Sequence, residues 1–209
     1  MSLQLISLGQ MLDSVGKERT IDILNTFKSI PDKSIPDHQT GKVNDVEYFL
    51  HNKAIHFEKM TLSTTHLVFA SYRDEMVLVG YFSLANKPLT MSKKNYNKLS
   101  NSQRKRLFKS GTVTDDGLYQ VNSYLLGQLG KSYSEKALAT KAIDGKQLLT
   151  MAYDTILRAK RLINARYVWL ECKDDPRLIK FYEEFGFRSI RHYHSGTDLR
   201  VLIMKLEND

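Results

Sequence analysis

Apolar residues recur at helical spacing in several stretches of this chain, and alternate or run together in shorter ones between them. The change of period marks out the elements. A helix is predicted around Lys17 to Phe27. In "NDVEYFLHNKAIHFEKM", Val46, Phe49, Leu50, Ile55 and Phe57 fall at roughly helical spacing, and Asn44 or Asp45 can cap the start by accepting a backbone N–H, which predicts a helix from about 45 to 60. The proline-marked piece "SIPDKSIPDHQTGK", Ser29 to Lys42, connects the two. "THLVFASY" and "MVLVGYFSLA" are apolar, β-rich runs separated by the polar "RDE", the pattern of an antiparallel hairpin. Strand character resumes in "LYQVNSYLLGQL", Leu118 to Leu129, with "SYLLGQL" its strongest part. A polar bridge, "GKSYSEKALATKAID", then leads to a helix beginning at Gly145, where Leu148, Leu149, Ala152, Ile156, Ala159 and Ile163 form an apolar stripe. "ARYVWLEC" predicts a strand, "PRLIKFYEEF" a helix, and "GFRSIRHYH" and "LRVLIMKLE" two final strands. Helices and strands in this order predict an α/β or α+β fold with a mixed sheet.

No internal repeat, low-complexity tract or Pro/Gly/Ser linker divides the chain, so residues 1–209 are expected to form a single domain, with a helical N-terminal part over 1–60. Its 42% hydrophobic residues suffice for a sizeable core. The single cysteine, Cys172, excludes an internal disulfide framework and fits a reducing compartment. The opening "MSLQLISLGQMLDS" lacks the basic start and continuous apolar run of a signal peptide, and no stretch has the length of apolar residues needed to span a bilayer. The expectation is a cytoplasmic protein with no membrane partner.

Charge adds one feature. Lys and Arg number 31 against 23 Asp and Glu, a net charge of +8. Part of the surplus is concentrated in "SKKNYNKLSNSQRKRLFK", Ser92 to Lys109, where Lys93, Lys94, Lys98, Arg104, Lys105, Arg106 and Lys109 occur with no acid among them. This run lies between strand-like segments and reads as a surface insertion. It is either a solvated basic helix or loop, or a seat for tRNA, another nucleic acid or an acidic partner, since clustered cations displace counterions from phosphates.

Two stretches carry candidate chemistry. At the start of the helix following the polar bridge, Gly145 permits close backbone approach to an anion, and Lys141 and Lys146 flank it, while Asp144 opposes an anion there. A simple turn explains the glycine as well. In "DDPRLIKFYEEFGFRSI", Asp175 suits an N-cap, Pro176 the first helical position, and Gly186 the left-handed residue that closes the helix. Leu178, Tyr182 and Phe185 share a face, which by spacing alone makes Tyr182 a core residue. His192 and His194 share a strand face but lack a pattern of further metal ligands, and Cys172 reads as a small buried hydrophobe.

Taken together, "FYEEFGF" (Phe181 to Phe187), the preceding "ARYVWLECKDDPRL" and the glycine loop "AIDGKQ" resemble the GNAT superfamily of acyl-CoA-dependent N-acetyltransferases, over roughly Thr65 to Glu207. The loop departs from the family pattern, with Ala142 where Gln or Arg is usual and Gln147 where Gly or Ala is usual. The resemblance implies a mostly antiparallel central sheet flanked by helices, with splayed central strands and acetyl-CoA lying between "SYLLGQL" and "RYVWLEC". It implies that the backbone around Leu129, Gly130 and Lys131 pairs with the pantetheine, and that amides of Gly145, Lys146 and Gln147, aided by Lys141, hold the pyrophosphate. Asp175 stands where many members have Asn beside the cofactor. An acceptor amine attacks the thioester directly, and Tyr182 protonates the leaving thiolate as general acid. Glu171 is a candidate base, although alternation turns it away from the cleft. "DVEYFLHNKAIHFEKMTLSTTHLVFA" and "LVGYFSLA" are also similar, more loosely, to the GNAT toxins that acetylate aminoacyl-tRNA. The implied activity is acetyl transfer to a primary amine. The alternatives are a toxin acting on aminoacyl-tRNA and a non-catalytic, basic nucleic-acid-binding relative. A homodimer is compatible with each.

Overall fold

The computed structural model describes residues 2–30, 44–109, 111–194 and 199–206, without the side chains of 191–194. Most of the predicted Ser29 to Lys42 connection, and the side chains of His192 and His194, therefore lie outside the described residues. The chain opens with a strand that the hydrophobic pattern did not predict, β1 (Leu3–Ser7), followed by helices α1 (Leu8–Val15) and α2 (Lys17–Asn25). The helix expected from 45 to 60 is two, α3 (Asp45–Asn52) and α4 (Ala54–Lys59), divided at Lys53, whose φ is stretched to −118°. β2 (Thr64–Tyr72) and β3 (Glu75–Ala85) are the predicted hairpin. The basic insertion is ordered: between β4 (Leu89–Met91) and β5 (Thr112–Val113) it forms α5 (Lys93–Lys98) and α6 (Asn101–Phe108). The run from Leu118 to Leu129 is two strands, β6 (Tyr119–Val121) and β7 (Ser123–Lys131), and the polar bridge contains a short helix, α7 (Glu135–Thr140). The remainder follows the predicted order: α8 (Gly145–Leu162), β8 (Tyr167–Cys172), α9 (Pro176–Phe185), β9 (Arg188–His194) and β10 (Arg200–Lys205).

These elements group into two compact units, Met1–Leu84 with Gln128–Ala152, and Ala85–Gly127 with Tyr153–Asp209. In the first, β1 runs antiparallel to β2 from Leu3↔Ala70 to Ser7↔His66, and β2 to β3 from Thr64↔Leu84 to Tyr72↔Glu75. Arg73 and Asp74, both at positive φ, form the two-residue turn whose twist matches a hairpin. Ser7 ends β1 and starts α1 by a capping box with Gln10, which is why a strand passes directly into a helix there. Leu8, Leu24, Phe27, Phe49, Leu50, Leu67 and Tyr81 build the core of this unit. The end of β7 belongs to it as well: the Ser132 N–H donates to the Val79 carbonyl. Gly130 is closely enclosed, since a Cβ built on it would lie 2.4 Å from Val46 Cγ1 and 3.1 Å from Phe27 Cζ.

In the second unit, β7 begins parallel to β8, Ser123↔Tyr167 to Leu125↔Trp169. The ladder ends there, although β8 continues to Cys172. β10 pairs antiparallel with β8 from Arg200↔Cys172 to Lys205↔Tyr167, and β9 with β10. A small sheet of order β4-β6-β5 carries the insertion. Leu99 and Leu107 bury into a core with Leu89, Val121, Tyr167, Trp169 and Ile203, and Tyr96 stacks on Tyr119 at 3.6 Å. Ser92 caps α5, and a Ser100–Gln103 capping box starts α6. The mixed, mostly antiparallel sheet flanked by helices is the expected fold class.

Candidate functional site

In the first unit the residues assigned to the cofactor run from the end of β7 through α7 to the start of α8. Leu129, Gly130 and Lys131 are the last residues of β7, half-buried, with the Lys131 ammonium 5.5 Å from the centre of the Tyr133 ring. Lys141 closes α7 in the left-handed conformation, φ 48°, and is exposed, as is Lys146. The start of α8 is organised by a residue that spacing had treated only as a repulsive charge. Asp144 Oδ1 accepts the Gln147 N–H at 2.7 Å, and Gln147 Oε1 accepts the Asp144 N–H at 2.8 Å, a reciprocal capping box. Asp144 thus occupies the Gln147 amide, one of the three assigned to pyrophosphate. Gly145 and Lys146 remain as the first-turn amides, which have no acceptor within the helix.

In the second unit, α9 has the predicted ends. The Asp175 carboxylate accepts the Arg177 N–H at 2.8 Å and pairs with its guanidinium at 3.0 Å, and these bonds hold its carboxyl below the ordinary carboxylate range. Pro176 follows at the first helical position. Gly186, at φ 120°, ends the helix, with its N–H on the Glu183 carbonyl and the Phe187 N–H on the Tyr182 carbonyl. Tyr182 is buried between the rings of Phe181 (5.1 Å) and Phe187 (5.7 Å). Burial pushes its phenol well above its ordinary value, and Cys172 adds to the effect, so the hydroxyl stays protonated at neutral pH.

Cys172, also buried, had no role by spacing beyond packing. Burial first, then Asp174, push its thiol up to about 11, against a smaller opposing effect of Arg200, so the thiol is uncharged at neutral pH. Glu171 is exposed on β8, between the buried Leu170 and Cys172, as alternation predicted. Trp169 is core, and its indole N–H donates to the Lys87 carbonyl at 2.9 Å.

The insertion presents cations in two ways. Arg104 turns inward, donating to the carbonyls of Asn97 (2.6 Å) and Tyr96 (3.2 Å) and lying over the Tyr96 ring, so it ties α6 to α5. Lys93, Lys94, Lys98, Lys105, Arg106 and Lys109 are exposed. Among the described residues no cluster of His, Cys, Asp or Glu is arranged to hold a metal, and no helix is long and apolar enough to cross a membrane.

No family model matches the chain, and no curated protein is similar to it in sequence. Solved structures are similar in fold. AtaT complexed with acetyl-methionyl-tRNAfMet overlays with a TM-score of 0.59, covering 98% of this chain and 95% of that one at 13% identity. AtaTR bound with acetyl-CoA gives 0.59, over 97% and 93%, at 14% identity. A tyrosine-to-phenylalanine mutant of KacT gives 0.57, over 96% and 94%, at 13% identity. Over nearly its whole length the chain is similar in fold to AtaT and KacT.

Proposed function

We propose that this chain is an N-acetyltransferase that moves acetyl from acetyl-CoA to the amino group of an aminoacyl-tRNA. The observation that carries this reading is the overlay along nearly the whole chain on AtaT, a toxin whose solved complexes include acetyl-CoA and acetyl-methionyl-tRNAfMet. The exposed cations of the insertion favour a nucleic acid over a small amine as the carrier of the acceptor group. A general N-acetyltransferase acting on small or protein amines uses the same chemistry and differs only in the acceptor.

In this reading the first-turn amides of α8, with Lys141 and Lys146, hold the pyrophosphate, and the backbone at Leu129 to Lys131 lies along the pantetheine. The acceptor nitrogen attacks the thioester carbonyl, the N–C bond forms as the C–S bond breaks, and the nitrogen gives up its proton to water. Tyr182 donates its hydroxyl proton to the departing sulfur and recovers one from solvent. A phenol kept protonated by burial suits that step, because the proton is present until the thiolate develops. AtaT and KacT have each been studied as a tyrosine-to-phenylalanine mutant, a change that removes one phenolic hydroxyl.

The test is transfer of labelled acetyl from acetyl-CoA to charged tRNA, with uncharged tRNA as control and melting temperature followed against acetyl-CoA. Label on the aminoacyl group, lost in Tyr182→Phe while the thermal shift persists, is the expected outcome. No thermal shift at millimolar acetyl-CoA would sink the reading. Transfer only to small amines would restrict it to the general activity.

A further inference from the structure

The second unit contains a cavity of about 430 Å³ that lies outside the residues assigned to acetyl-CoA and to acid catalysis. Arg106, Tyr153, Tyr167, Phe185, Arg188 and Lys205 are among the residues that line it; Tyr182 and Cys172 are not. Tyr167 is the first residue of β8 and Cys172 the last, so a strand of about 17 Å separates this cavity from the thiol end. Two features of the lining are distinctive. Among the described residues, its charged lining is Arg106, Arg188 and Lys205, all exposed and all cationic. Its walls include aromatic rings, with Tyr153 and Phe185 meeting edge to face at 5.8 Å.

The backbone that carries the cations is set by the fold. The Tyr167 hydroxyl donates to the Arg106 carbonyl, fixing the end of α6 over the start of β8. Arg188 starts β9 directly after the turn at Gly186, and its guanidinium makes long bonds, 3.4 Å, to the carbonyls of Glu183 and Phe187. Lys205 ends β10, paired across from Tyr167. Gly186 keeps the floor open, since a Cβ there would lie 3.2 Å from Met204 Sδ.

Cations without an opposing acid select an anion, and flat rings beside them select a planar π system. The volume is within the usual range for a small-molecule site. We propose that this cavity binds a nucleotide, its phosphate on Arg106, Arg188 and Lys205 and its base against Tyr153 and Phe185. The nucleotide is either free or one residue of an RNA strand. The proposal does not depend on the cofactor seat or on Tyr182, since none of those residues lines the cavity; it shares only Arg106 with the exposed cations of the insertion.

The experiment is equilibrium binding of adenosine 5′-monophosphate to the full chain, beside ribose 5-phosphate, adenosine and a single-stranded RNA hexamer. Saturable binding of the monophosphate is expected, with ribose 5-phosphate and adenosine each weaker by about tenfold or more. The double variant Arg106→Gln/Arg188→Gln loses about tenfold in affinity, and Tyr153→Leu several-fold. An unchanged melting temperature and acetyl-CoA shift in both variants verify the fold. If the hexamer binds at least about tenfold tighter than the monophosphate and the double variant abolishes the difference, the source is RNA; equal affinities identify the free nucleotide. No saturable binding at about 10 mM monophosphate, ribose 5-phosphate binding as well as the nucleotide, or unchanged affinity in a folded double variant would each overturn the proposal.

Discussion

The helices α8 and α9 are each capped by an aspartate side chain, and they present very different ends to solvent. At α9, Asp175 takes the Arg177 amide, Pro176 has no N–H to offer, and the Arg177 guanidinium covers the carboxylate, so that start is closed to anions. At α8, Asp144 takes only the Gln147 amide, and the residues before it are Gly145 and Lys146, whose amides still face outward from the first turn. The same cap type therefore leaves one terminus as pure architecture and the other half-open. This divides the labour in the proposed enzyme: α8 binds, while α9 is anchored at its start so that its last turn carries Tyr182.

The largest expected effect tests the chemical half of that division. Tyr182→Phe should lower kcat by about 100-fold or more, the range of a general acid, while the acetyl-CoA thermal shift is retained. Loss of the shift instead would place Tyr182 in binding and break the contrast.

Alkaline pH probes how dry the surroundings of α9 are. Folded Cys172 keeps its proton up to about 11, whereas in the unfolded chain it loses it near the ordinary 9.0. The contribution of this group to stability is therefore intact below pH 9 and falls between pH 9 and 11, by at most roughly 3 kcal/mol. Urea unfolding across that window should show the decline, and Cys172→Ala should flatten its first part.

Lys146→Glu should raise the acetyl-CoA Kd about tenfold, or ~1.4 kcal/mol, with kcat little changed. Isothermal titration against steady-state kinetics separates the two. The smallest effects come from the caps themselves. Asp144→Ala and Asp175→Ala should each cost about 1 kcal/mol in chemical denaturation. Only Asp144→Ala should alter acetyl-CoA affinity, tightening it several-fold by freeing the Gln147 amide and removing a negative charge. Equal effects of both on affinity would erase the distinction.

The same two helices mark what was legible in the amino-acid sequence. α9 was readable to the residue because its limits are set locally, by Asp175, Pro176 and Gly186. The long stripe of α8 was equally clear, but its cap was not, because a reciprocal bond between Asp144 and Gln147 looks in sequence like an acid beside a phosphate loop that lacks its usual glycine. β4, β5 and β6 are two or three residues long, too short for a period of two to register. β1 and α1 are short and lie against β2, so tertiary packing rather than pattern decides them. In the basic insertion the run of like charge was plain, but not that Arg104 would turn inward to join its helices. The cavity at the start of β8 was not legible at all, since Arg106, Tyr153, Arg188 and Lys205 are distant in sequence and only the fold gathers them.

Gly130 has a consequence for how this protein would respond to saturation mutagenesis. With Val46, Phe27 and Tyr81 enclosing the place where a side chain would begin, the position admits hydrogen and little else. A map of tolerated substitutions would show it as intolerant to every residue class alike, next to a permissive Lys131. Such a profile is usually taken as the mark of a reacting group. Here it would mark an interlock between α3 and the end of β7, and only abundance measured separately from activity would tell the two apart.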